Sequence, residues 1–96
     1  MPKAYVVVTE AIKDPAGMAE YAKAAMGSMA EGGARLLAAD RSPEVLEGEW
    51  HGSQTVVLEF DSVEAAKAWY ASEAYSKAIP LRQAAADSNV AIIAGL

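Results

Sequence analysis

Residues 56–78, VVLEFDSVEAAKAWYASEAYSKA, decide the fold. The run VVLEF is β-branched and aromatic, as a strand requires. Asp61 or Ser62 then offers a helix N-cap, with Glu64 favourably placed in the first turn. VEAAKAWY opens a helix, and ASEAYSKAI continues or restarts it. Pro80 lacks a backbone donor and sets a break near Ala78–Pro80. A strand feeding a helix needs further strands to make a sheet, and the flanking sequence supplies them.

Toward the N-terminus, AYVVVTEAI reads as a first strand bounded by KDPAG. Asp14 suits an N-cap and Pro15 the first helical position, where a missing N–H costs nothing. Met18, Tyr21, Ala22, Ala25 and Met29 follow on one helical face, and Gly32–Gly33 end the helix. ARLLAAD is a second strand, ended by the turn residues RSP. EVLEGEW alternates acid and apolar residues and predicts a short strand extending that hairpin, with Gly48 at a bulge or at its end. After Pro80, LRQAAAD forms a last helical piece and SNVAIIAGL a final strand. The resulting order, βαββαβ, is the α+β ferredoxin-like sandwich, with two helices on one face of an antiparallel sheet. YVVV, TVVLEF and VAIIAGL are apolar at successive positions, as in strands covered on both faces. The helices cover one face, and a second copy of the sheet is the simplest cover for the other, which predicts a homodimer.

The totals bound the remaining choices. Residues 1–96 make one domain, and a chain of this length buries only about two-thirds of its unfolded surface, so self-association helps it. An apolar fraction of 53% suits a packed globule. The net charge is −5, with 13 acidic and 8 basic residues, the latter scattered singly. Nucleic acid and anionic membrane are therefore not expected partners. There is no cysteine and one histidine, which excludes thiolate chemistry and a multi-histidine metal site within one chain. No acid spacing resembles a calcium loop, and the glycines form neither a dinucleotide fingerprint nor a P-loop, so no metal and no cofactor is expected. The N-terminal MPKAYVVVTE lacks a signal peptide's apolar core, and VAIIAGL is far short of the roughly 20 residues of a membrane span. A cytoplasmic location follows as the expectation.

The chain resembles the domain of unknown function 1330 family of dimeric α+β barrel proteins. The resemblance spans nearly the whole sequence and rests on VLEGEW at 45–50, VVLEFDSVEAAKAWYASEAY at 56–75 and PLRQAA at 80–85, with KAYVVV and GGARLLA in support. It implies a ferredoxin-like protomer whose sheet pairs with a partner's sheet into a barrel. The wider superfamily holds cofactor-independent monooxygenases, isomerases, haem enzymes and plain ligand binders, so the resemblance leaves activity open. Relatives often carry an arginine just ahead of the third strand where this chain has Gln54, so an anion-binding role at that position is not carried over.

Glu59 is the first candidate for chemistry. If Leu58 and Phe60 face the helices, Glu59 faces the barrel, either as a general base or ligand-orienting acid or as half of a structural ion pair with Arg82 or Arg35. His51, in the turn after Trp50, is the side chain that ordinarily titrates near neutral pH, and Glu47 or Glu49 is placed to orient it. Trp50, Trp69, Tyr70 and Tyr75 form an aromatic set that either packs the core or walls a pocket. Arg82, beyond the break, suits a bidentate clamp on a ligand carboxylate or a structural tie. Three functions remain in play. One is a protein that binds a small polar or aromatic metabolite in a cavity between sheet and helices or at the barrel mouth, with Trp69, Tyr75, Trp50, Arg35 and Arg82 as its candidate residues. Another is a cofactor-independent enzyme using Glu59 or His51 as base. The third is a structural dimer without a ligand.

Overall fold

The computed structural model describes residues 2–96. Four strands and four helical segments run in the order β1 (Ala4–Ile12), α1 (Pro15–Gly32), β2 (Arg35–Asp40), β3 (Gln54–Phe60), α2 (Val63–Ala71), α3 (Glu73–Ser76), α4 (Ile79–Ala85) and β4 (Ala86–Ala94). The sheet order is β2-β3-β1-β4, with every neighbouring pair antiparallel. This is the ferredoxin-like arrangement. The register sets Val6 opposite both Leu58 and Ile92.

Strand parity assigns the two faces. Ala4, Val6, Val8 and Glu10 of β1 are buried, as are Leu58 and Phe60 of β3. Val90 and Ile92 of β4 pack against the same core. The alternate residues Tyr5, Val7, Thr9, Val57 and Glu59 are half-buried, and Ile93 is half-exposed. They lie on the face that no helix covers. That face is apolar at its centre, where Val7 sits opposite Val57 and Ala91.

α1 begins at Pro15 after Asp14, whose backbone is extended but whose side chain makes no capping bond. Gly33, at φ 74°, ends it, and Ala34 N–H closes the turn on the Met29 carbonyl at 2.9 Å. The second helical region breaks twice. Ser72, at φ −66° and ψ 151°, interrupts the helix, and its hydroxyl accepts from Tyr75 N–H at 3.2 Å to start α3. Pro80 then falls in the first turn of α4, where its ring is tolerated. These breaks turn Trp69, Tyr75 and Arg82 toward one another.

One expectation is corrected. EVLEGEW is not a strand, because no element between β2 and β3 pairs with it. Its alternation finds no ladder to join, and Leu46 is left 86% exposed. Gly48, at φ 78°, turns the segment. β2 therefore stays an edge strand, with a bulge between Leu36 and Ala38.

Candidate functional site

A groove of about 600 Å³ opens between α1 and the helix-facing side of the sheet. Val8, Val56 and Leu58 make its floor, Met18, Tyr21 and Met29 its α1 wall, and Trp69 closes its deep end. Leu36, Met26 and Arg41 stand at the exposed side. Such a concave, mostly apolar space with a few polar groups is the usual form of a small-molecule site.

The polar group at its floor is Glu10. Its parity on β1 matches that of Ala4, Val6 and Val8, so its side chain enters the protein with theirs, and it is 1% exposed. Gln54, directly opposite on β3, donates from Nε2 to Glu10 Oε1 at 2.8 Å. Glu10 Oε2 is buried without a hydrogen-bond partner. Leaving a buried carboxylate oxygen unmatched costs stability, so Glu10 is held in the core at a cost.

Behind this wall lies a phenol relay. Tyr21 and Tyr75 share a hydrogen bond of 2.8 Å between their hydroxyls. Burial, then the neighbouring Tyr75, pushes the Tyr21 phenol well above its ordinary range, so it stays protonated. Arg82 is 4% exposed and faces the Tyr75 phenol, while its Nε has no partner. Trp69 stacks on Tyr75 at a centroid distance of 4.1 Å and donates from Nε1 to Ser28 Oγ at 3.3 Å.

The candidate residues of the sequence thus divide between two faces. Trp69, Tyr75 and Arg82 come together on the helix side. Glu59, Arg35, His51 and Trp50 lie with the open face of the sheet. Glu59 therefore does not share a wall with Trp69, because the pleat sends it opposite to Phe60, which touches Trp69 at 5.3 Å between centroids. Its cation is Arg35, not Arg82, with Nε to Oε1 at 2.8 Å, and the Tyr5 hydroxyl donates to its other oxygen at 3.2 Å. His51 is oriented not by Glu47 or Glu49 but by Thr9, whose hydroxyl is 2.7 Å from Nδ1. Asp87 lies 4.0 Å from its Nε2. Trp50 Nε1 donates to Thr55 Oγ1 at 2.8 Å.

The Arg35 guanidinium holds the Glu59 carboxyl below its ordinary 4.5, although desolvation works the other way. Lys3 and then Arg35 depress Asp61 likewise. Each group binds its proton less readily folded than unfolded. The stabilisation is thus present above the unfolded value and lost as pH falls through the folded one. The stability gap between wild type and Glu59→Gln is expected to hold steady near neutral pH and to close below about 4.5. Denaturation curves across that range read it directly, and a gap unchanged down to about pH 3 would remove the carboxylate from the account.

Glu10, Tyr21 and Gln54 as a constellation escaped the sequence reading. The signal was present in YVVVTEAI, where Glu10 shares the parity of Val6 and Val8. Among the described residues no group of three histidine or acidic side chains is placed to hold a metal, and no helix is long and apolar enough to cross a membrane.

With the fold and groove defined, comparison places the chain among known proteins. The sequence profile of the domain of unknown function DUF1330 matches residues 3–96, and the chain belongs to that family. It is similar in structure to a protein of unknown function from Rhodopseudomonas palustris, with 18% identity, 99% of this chain and 83% of that one covered, and a TM-score of 0.79. A dimeric ferredoxin-like protein of unknown function from Thermobifida fusca aligns at 12% identity over 97% and 91% of the chains, with a TM-score of 0.65. SnoaB, a cofactor-independent oxygenase from Streptomyces nogalater, aligns at 12% identity over 97% and 92%, with a TM-score of 0.63. At these identities the likeness is one of fold. A search of curated proteins gave no match.

Proposed function

We propose that this chain is a cytosolic homodimer that binds one small, mostly apolar molecule per protomer in the groove between α1 and the sheet. The observation that carries the reading is the groove itself, apolar on its floor and its α1 wall, with Glu10, Ser53 and Gln54 among its few polar residues. Pairing through the open sheet face is supported by the apolar centre around Val7 and Val57 and by the dimeric description of the Thermobifida fusca protein. An enzymatic reading on the pattern of the oxygenase rests on fold likeness. A base acting inside the groove would have to be Glu10, since Glu59 and His51 lie on the other face.

Titration with the neutral fluorescent probe N-phenyl-1-naphthylamine tests the binding. Saturable uptake of one probe per chain is expected, and Ala22→Trp, on the groove side of α1, is expected to weaken it about tenfold or more by filling the space. Absence of saturable binding, or binding indifferent to Ala22→Trp, would contradict the reading and leave the structural dimer. The dimer has its own test. Val57→Lys places a charge at the centre of the open face and is expected to raise the dissociation constant at least about a hundredfold, as analytical ultracentrifugation would measure.

A further inference from the structure

Resting on the groove as the binding site, we propose that its ligand is an amphipathic acid, a carboxylate joined to an apolar body. The carboxylate pairs with the Arg41 guanidinium at the mouth, and the body lies along the floor toward Trp69. Two charged side chains line the groove, Glu10 and Arg41. Glu10 is 1% exposed, with one oxygen on Gln54 and the other buried, so it has almost no surface to offer a ligand. Arg41 is exposed. The charge that the groove presents is therefore positive.

The end of β2 puts Arg41 there. Ala39 pairs with Val56 and Asp40 with Thr55, and of residues 39–41 it is Ala39 and Arg41 that line the groove, as the pleat requires. Among the eight basic residues, Lys3, Lys23, Arg35 and Lys77 are held by carboxylates, and Arg82 is buried. Lys13, Arg41 and Lys67 make no ion pair among the described residues. Of these three, Arg41 alone lines the groove. Its planar fork of donors matches a carboxylate with two parallel bonds.

Inward from Arg41 the groove turns apolar. Along β3 the lining passes from Gln54 to Val56 and Leu58, a run of about 13 Å at the rise of a strand. Met18 and Met29 face that floor with adaptable thioether side chains, and Trp69 closes it. At the mouth Met26 is 71% and Leu36 58% exposed, apolar surface that a bound body would cover. A ligand polar along its length would leave its groups unmatched against this floor, so the polarity belongs at one end. The chain as a whole carries −5, and its field works against any anion. Selection for an acid must then come from the guanidinium at the mouth.

Three probes of similar shape test this on the full chain by calorimetry, with amide chemical shifts to locate binding. They are 2-naphthylacetate, 2-naphthylacetamide and 2-(2-naphthyl)ethylammonium. Wild type is expected to bind the acetate about fivefold or more tighter than either of the others, the size of a charged contact partly screened by water. The net charge of the protein alone would give the opposite order, with the ammonium first. Arg41→Gln, at an exposed position, is expected to bring the ratio of acetate to amide down to about one. Equal binding of acetate and amide by wild type would overturn the proposal and leave the groove a binding site. Tighter binding of the ammonium, or a preference that survives Arg41→Gln, would overturn it in the same way. If no probe shifts the groove resonances, the binding reading itself fails and the proposal falls with it. The comparison of ligands on wild type needs no variant to fold.

Discussion

Trp69→Ala is expected to cost about 3–5 kcal/mol of unfolding free energy, the range for removing a buried tryptophan without full collapse of the space. Trp69 is 2% exposed and sits where α1, α2 and α3 meet the sheet. Its ring stacks on Tyr75 at 4.1 Å, leans on Phe60 at 5.3 Å, and holds Ser28 of α1 through Nε1. Gly32 at the end of α1 approaches it so closely that a Cβ there would lie 2.8 Å from Trp69 Cδ1. The loss therefore reaches α1, α2 and α3 together. For a chain of 96 residues a total stability of about 5–14 kcal/mol is ordinary, so this one change removes a large part of it. Urea unfolding followed by far-ultraviolet circular dichroism measures it. A loss under about 1 kcal/mol would show that the aromatic cluster is not the keystone of the core.

Gly52→Ala is expected to cost about 2–5 kcal/mol, from two sources that a control separates. The first is its φ of 77°, which an L side chain adopts at a cost of about 1–2 kcal/mol. The second is steric, because a Cβ at this position falls on the Glu10 carbonyl and the Ala11 nitrogen, both backbone. Relief would require the loop to leave β1 and to break the 2.9 Å bond from Ser53 N–H to the Glu10 carbonyl. Gly48 shares the positive φ, at 78°, yet a Cβ there meets nothing within 4 Å. Gly48→Ala should thus show the conformational part alone. If the two substitutions cost the same, the close approach of the loop to Glu10 would be refuted.

The same loop explains where sequence reasoning reached and where it stopped. The strands of the first, third and last segments, the helix from Pro15, and a cap at Asp61 or Ser62 were legible because each is a local pattern. The Ser62 hydroxyl accepts from Ala65 N–H at 3.0 Å, as the DSVEAA run suggested. Residues EVLEGEW misled because alternation is necessary for a half-buried strand but not sufficient, and pairing depends on a neighbour the pattern does not name. The choice between the two strand carboxylates was harder. Glu10 and Glu59 both sit among apolar residues, and strands apolar on both faces do not announce which side the helices take. Parity with Ala4, Val6 and Val8 puts Glu10 inside. Parity with Tyr5's partner position puts Glu59 outside, where Arg35 neutralises it. Trp69, Tyr75 and Arg82 were singled out from sequence, but their meeting depends on the break at Ser72, whose extended ψ turns the chain between them.

The most direct test of the account is native mass spectrometry of the purified protein at low micromolar concentration with excess N-phenyl-1-naphthylamine. The account predicts a dimer carrying two probe molecules, and a dimer with its probe occupancy sharply reduced for Ala22→Trp. A monomer would contradict pairing through the open face of the sheet. A bare dimer would contradict the groove between α1 and the sheet as a binding site.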